Sequence, residues 1–279
     1  MNNELTIEKY LTIKEIFDDL RIIAGIPDNC NKLFEPEGAC SNESIVERLC
    51  SSLQNSGQMR NSIMFNEKNK ENRDKIKEAV CDYDSAIFIK RYANWESLYD
   101  SFIKNGLKDN GKNRQVKKEY SNNIPLTNWE KYAKGLFEGI NFLANNNGFE
   151  IVKGLIDLTS TINKITDIEI NKIKTISNYI PGFGLALACD WLKECGCTWL
   201  VKPDIHIIEV YKHLINSEND KIKNEDLIID MFDYSILIQH EVDKSMTAYK
   251  LDKMIWLICT GDFYQYNIKI GRDLIIKRV

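Results

Sequence analysis

Two groups of residues in the C-terminal half have the types and spacing that chemistry needs. The first is Ile180-Pro181-Gly182-Phe183-Gly184. Gly182 and Gly184 can take backbone angles closed to other residues, so the chain can turn sharply and approach another backbone closely. The run Leu185-Ala186-Leu187-Ala188 then starts a helix with its free N–H groups at the turn, an arrangement that suits a phosphate. The second group is Pro203-Asp204-Ile205-His206, whose Asp204 follows Gly184 by 20 residues and opens the next helical pattern. An aspartate there is either a helix N-cap or a fixed carboxylate for charge stabilisation or general-base work. Both can hold, because cap N–H groups keep a carboxylate ionised. His206 reads as a packing residue, and Lys202 as a solvated or phosphate-facing lysine. Cys195-Gly196-Cys197 has the spacing of a metal pair, but no second pair or nearby His completes a zinc pattern.

The elements that must position these residues read as helices. Residues 6–24 place Ile7, Tyr10, Leu11, Phe17 and Leu20 near one face, and Gly25 stops the pattern. Residues 26–42 look like a loop. Ser44-x-x-Glu47 predicts a capping box opening a helix through Ile45, Val46, Leu49 and Leu53. The polar run from Leu53 to Asn61, with Gln54, Asn55 and Gln58, is at face value a helix end and loop. Three short helices follow at Asp74–Cys81, Asp84–Tyr92 and Trp95–Asn105. Residues 104–123 are charged, glycine-containing and aperiodic, which predicts an insertion. Its Lys104, Lys108, Lys112, Arg114, Lys117 and Lys118 make it the most basic stretch, suited to solvent or a nucleic-acid backbone. Thr127-x-x-Glu130 opens a helix carrying Trp129, Tyr132, Ala133, Leu136, Phe137, Ile140 and Leu143. A helix at 149–160 and the box Thr166-x-x-Glu169 lead to the hairpin. Helices near 206–216, 225–240 and 245–259 complete the chain. No alternating strand stands out, so the fold class is all-α.

Composition narrows the function classes. At 279 residues, 43% hydrophobic and 28% charged, the chain can bury a full core as one large domain or two lobes. A net charge of −4 gives no global basic footprint, so nucleic-acid binding must rest on a local patch. No apolar run reaches membrane-spanning length, and the N-terminus lacks a signal-peptide layout. A cytoplasmic, monomeric protein is expected. Its eight cysteines, Cys30, Cys40, Cys50, Cys81, Cys189, Cys195, Cys197 and Cys259, are then mostly buried free thiols.

The stretch from Ile180 to Asp204 resembles the helix-hairpin-helix motif of the DNA glycosylase superfamily. That family includes endonuclease III, the adenine glycosylase of mismatch repair, 8-oxoguanine glycosylase and the alkyladenine glycosylases. The resemblance rests on Ile180, Pro181, Gly182, Phe183, Gly184, Ala188 and Asp204, and is motif-level only over residues 166–215. It implies a two-lobed helical glycosylase fold, with residues 44–200 as the hairpin-bearing lobe and 1–43 plus 205–279 as the other. DNA and the target base are expected between the lobes, with Asp204 where the chain crosses. The hairpin 181–184 and Ala186 would hold a DNA phosphate, with a monovalent cation at the hairpin carbonyls as the one expected bound ion. Gln54, Asn55 and Gln58 correspond loosely to side chains that fill the space left by the target base.

The partner implied is double-stranded DNA with a damaged or modified base, flipped out of the stack. Asp204 would steady positive charge on the deoxyribose as the N-glycosidic bond breaks. Trp129, Tyr132 and Trp256 are candidates for the base pocket, although aromatics at helical spacing are usually core. Bifunctional members carry a lysine nucleophile at the position of Ala186, so hydrolysis leaving an abasic site is expected; Lys193 and Lys202 are the nearby alternatives. Only Cys259 lies after Asp204, so no C-terminal iron–sulfur cluster is expected. The alternatives are a non-catalytic helix-hairpin-helix DNA-binding protein and an unrelated all-α interaction protein.

Overall fold

Side-chain caps decide where many of the helices begin. In the computed structural model, which describes residues 4–28, 31–65, 69–109, 114–115, 126–216 and 221–270, the chain is all-α. The helices run in the order α1 (Ile7–Ile23), α2 (Asn42–Leu53), α3 (Arg60–Ile63), α4 (Lys70–Ala79), α5 (Ser85–Arg91), α6 (Trp95–Lys104) and α7 (Asn128–Asn145). They continue as α8 (Gly148–Asp157), α9 (Asp167–Tyr179), α10 (Leu185–Cys195), α11 (Ile205–Leu214), α12 (Asn224–Glu241) and α13 (Ala248–Thr260). Thr127 and Glu130 form the expected reciprocal box at α7, and Thr166 engages Glu169 ahead of α9. The box at α2 sits three residues earlier than Ser44-x-x-Glu47 predicts. Ser41 is the N-cap, and the Ser44 hydroxyl takes the reciprocal role. Glu47 instead pairs with Arg73 at 2.9 Å. A serine can close a box as glutamate does, which the sequence pattern did not weigh.

Two short antiparallel pairs interrupt the helices: β1 (Lys108–Asp109) with β2 (Arg114–Gln115), and β3 (Asp262–Phe263) with β4 (Ile268–Lys269). The first falls inside the expected aperiodic insertion, whose residues 110–113 and 116–123 lie outside the described residues. Too short to show alternation, neither pair leaves a periodic trace.

The chain divides into two compact units. One comprises residues 38–157 and 171–195; the other comprises 1–37, 158–170 and 196–279. Residues 158–170, expected in the hairpin-bearing lobe, therefore belong with the termini, and the later boundary falls at 195/196.

In the first unit α7 is the central helix, with α2, α3, α5, α6 and α8 against it. Its stripe of Trp129, Tyr132, Ala133, Leu136, Ile140 and Leu143 is buried, as the 3.6-residue period requires. Gly135 and Gly139, four apart, let α2 come close: a Cβ at either would lie 2.7 Å from Leu53 or Leu49. The Tyr132 hydroxyl donates to the Cys50 carbonyl at 2.8 Å. The Trp191 indole of α10 donates to the Ile45 carbonyl at 3.2 Å. Both bonds tie neighbouring helices to α2.

In the second unit α13 is central, with α1, α11 and α12 around it. It buries residues nearly all round, including Leu251, Asp252, Ile255 and Leu257, and ends at Gly261 with φ +61°, a left-handed cap that glycine takes without strain. On α1 the buried apolar set is Tyr10, Ile13, Phe17 and Leu20, with Arg21 beside them; Leu11, expected on this face, is exposed. Among the described residues, no helix is long and apolar enough to cross a membrane.

Candidate functional site

The hairpin lies in the first unit, where α9 and α10 flank a tight turn. The Phe183 N–H donates to the Ile180 carbonyl at 3.0 Å, and Gly182 has φ +75°, an angle that costs other residues strain. Phe183 points inward, buried edge-on against Trp191 with ring centroids 5.9 Å apart. Pro181, Gly182 and Gly184 stay exposed at the tip. Leu187 and Ala188 both donate to the Gly184 carbonyl at 2.9 and 3.0 Å. The N–H groups of Leu185 and Ala186, ahead of that first bond, open the helix N-terminus. A Cβ at Gly184 would meet nothing within 4 Å, so the space beside this N-terminus is free.

The polar run after α2 meets the hairpin. Ser56 Oγ donates to the Gly182 carbonyl at 2.7 Å. Two hairpin carbonyls, those of Ile180 and Gly182, thus already accept hydrogen bonds within the chain. Asn55 is exposed beside this contact, and Gln58 closes the short 3-10 turn Ser56–Gln58. Gln54 does not join them. It is 4% exposed, and its amide bonds Phe65 in both directions, donating to the carbonyl at 2.9 Å and accepting from the N–H at 2.8 Å. A buried amide bonded in both directions pins the 54–65 loop and is turned away from solvent. Ser56 is the contact residue missed by sequence reasoning. The adjoining Gly57, at φ +52°, was the available sign of a turn there.

The proposed base-pocket aromatics separate. Trp129 and Tyr132 are core residues of the first unit, 3% and 0% exposed, stacked edge-to-face with each other at 6.1 Å. Burial pushes the Tyr132 phenol well above its ordinary range. Their spacing on the apolar face of α7 commits them to packing, so neither can receive a base. Trp256 belongs to the second unit, is partly exposed, and meets Tyr264 edge-on at 6.0 Å.

Asp204 also lies in the second unit, as the N-cap of α11. Its Oδ1 accepts from the N–H groups of His206 at 3.0 Å and Ile207 at 3.3 Å. Its Oδ2 stands 3.8 Å from Lys202 Nζ, and the two side chains are 19% and 20% exposed. One oxygen is therefore fixed by the helix, while the other faces a cation at a partly open position. The preceding segment is anchored too: Trp199, Leu200 and Val201 are buried, and the Lys202 N–H donates to Asp252 Oδ2 at 3.3 Å. Asp252, 2% exposed on α13, positions the chain leading into Asp204; its location on a helical face among apolar residues hid that role. The neighbouring Ile205 is 73% exposed.

Of the alternative lysines, Lys193 is 5% exposed on α10 and belongs to the unit that lacks Asp204. Lys202, in Asp204's own unit, stands beside the carboxylate. Cys195 and Cys197 are both buried, and burial raises the Cys195 thiol pKa. Among the described residues no group of three or more His, Cys, Asp and Glu could hold a metal ion.

Comparison with known proteins gives no match to any protein-family model, curated protein or solved structure.

Proposed function

We propose that this protein is a monofunctional DNA glycosylase, hydrolysing the N-glycosidic bond of a damaged or modified base in double-stranded DNA. The observation that supports this most is the state of Asp204. Its carboxylate is fixed through Oδ1 by two backbone N–H groups and is largely shielded from water, with Oδ2 3.8 Å from Lys202 Nζ. In the proposed reaction the base leaves with the bonding electron pair and the sugar gains positive charge. Asp204 steadies that charge and orients the water that adds to the sugar carbon, taking up its proton. The exposed glycine turn, with room beside Gly184, suits a DNA phosphate. By the resemblance, Ala186 takes the position of the lysine nucleophile of bifunctional glycosylases, so the product is an intact abasic site.

The test is single-turnover base release from a panel of duplexes carrying one modified base each, with Asp204→Asn as the paired control. Release by the parent and its loss in the variant support the reading. Duplex binding without release of any base would make this a DNA-binding module instead.

A further inference from the structure

The second unit holds a lysine whose surroundings the core does not explain. Lys253 of α13 is 8% exposed. Its ammonium donates to the Tyr264 hydroxyl, 4.5 Å from that ring's centroid, and lies 5.6 Å from the ring centroid of Trp256. Among the described residues it has no carboxylate partner. An ammonium carries three N–H donors, and one is used. Buried charges ordinarily bring a counter-charge or a full set of hydrogen bonds. Ring faces compensate only part of that loss. Among the described residues, two donors of a nine-tenths buried cation are thus left beside an indole and a half-exposed phenol.

We infer that Lys253, Trp256 and Tyr264 form a subsite for a neutral, carbonyl-bearing nucleobase, with the ammonium donating to the base carbonyl oxygen. This rests on the base-excision reading above. The flat rings supply surfaces on which any base can stack. The unused donors favour an exocyclic carbonyl, whose oxygen offers two lone pairs to the ammonium, whereas adenine's exocyclic group is itself a donor and only its single-lone-pair ring nitrogens can accept. The positive charge also disfavours bases that carry a fixed positive charge, such as N-alkylated purines. The substrate class is therefore uracil-like, hypoxanthine-like or oxidised purine bases, not cationic alkylated ones.

The subsite lies near the segment that ends in Asp204. At about 100° per residue, Trp256 falls about 40° and Lys253 about 100° around α13 from Asp252. Asp252 is the residue that holds the Lys202 backbone, two positions before Asp204. α13 and α11, which Asp204 caps, pack together. One short arc of a single helix therefore carries both the anchor of the catalytic segment and the base-reading lysine.

The experiment titrates the full chain with 2′-deoxyuridine, 2′-deoxyinosine, 2′-deoxyadenosine and 7-methylguanosine, reading saturation transfer by NMR. Release of uracil, hypoxanthine and 7-methylguanine from duplexes is measured in parallel. The carbonyl-bearing neutral nucleosides should bind at least about tenfold more tightly than the other two. Lys253→Met, which keeps the apolar stem, should erase that preference. Tyr264→Phe, at a half-exposed ring, should reduce it several-fold with the fold intact. The inference is overturned if the parent shows no carbonyl preference, or no saturable binding to about 10 mM, or if Lys253→Met keeps the preference. Should that variant not fold, an unchanged preference in Tyr264→Phe overturns it. The two proposals separate cleanly. Carbonyl-selective binding with no base released from any duplex refutes excision alone, and release of 7-methylguanine in preference to uracil and hypoxanthine refutes the subsite alone.

Discussion

Asp204→Asn removes one negative charge and almost nothing else, which makes it the sharpest perturbation of the proposed mechanism. The Oδ1 contacts to His206 and Ile207 can be kept, since asparagine caps helices about as well as aspartate. Two small losses remain. The charge no longer interacts with the N-terminus of α11, about 0.3–1 kcal/mol. The pair with Lys202, 3.8 Å apart and partly exposed, contributes about 0–1 kcal/mol. The variant should therefore lose about 1 kcal/mol, a drop in Tm of roughly 2–4 °C. The catalytic loss is of another size. A carboxylate about 4 Å from a full positive charge, at an effective dielectric constant of about 20, contributes about 4 kcal/mol, or about 10³-fold in rate. Single-turnover base release, with duplex affinity measured beside it, reads this directly. Asp204→Ala provides the contrast: it should cost about 1 kcal/mol more through the lost cap with the same loss of rate. A folded Asp204→Asn protein within about tenfold of parental release would refute the catalytic assignment and leave Asp204 a cap.

Four further outcomes are expected. Borohydride should trap no protein–DNA adduct on an authentic substrate, and strands should break only after alkali or heat; a robust adduct abolished by Lys202→Met would show that Lys202 forms an imine. Gly184→Lys should fold, because the site beside Gly184 is open, yet weaken duplex binding by filling the phosphate space; tighter binding in a salt titration would contradict the hairpin's role. Gly148→Ala places a Cβ 2.6 Å from the Leu143 Cα and the Phe142 carbonyl oxygen, so it should cost about 1–3 kcal/mol, whereas Gly154→Ala, in open space within α8, should gain about 0.5–1 kcal/mol; thermal melts in parallel check both. Burial raises the Asp243 carboxyl pKa, but hydrogen bonds from Lys250 at 2.8 Å and from the Ser245 hydroxyl and N–H outweigh it and hold it below its ordinary value; the stabilisation is present above the unfolded pKa and lost as pH falls through the folded one, so the Tm deficit of Asp243→Asn should be largest near neutrality and close in acid.

Much of the helical order was legible in the sequence, because it is written in short-range terms. The box at Thr127 and Glu130 and the stripe from Trp129 to Leu143 concern residues within a turn or two of one another, where backbone geometry leaves few choices. The same holds for the Ile180–Gly184 turn: its two glycines and proline specify backbone angles locally, and the positive φ of Gly182 follows. Asp204 as a cap was readable for the same reason. Tertiary structure decided which side chains are free to act. Gln54 and Asn55 are neighbours of like chemistry, yet Gln54 is spent on Phe65, eleven residues away, while Asn55 remains exposed. Trp129, Tyr132 and Trp256 are all aromatic residues on helical faces, but two are sealed beneath α2 and its neighbours and one is partly open. Nothing within a few residues of Lys253 announces a buried cation that has no carboxylate partner among the described residues, since that depends on which elements arrive around it. Local pattern fixes backbone conformation; burial and partnership are properties of distant segments meeting, and chemistry depends on them.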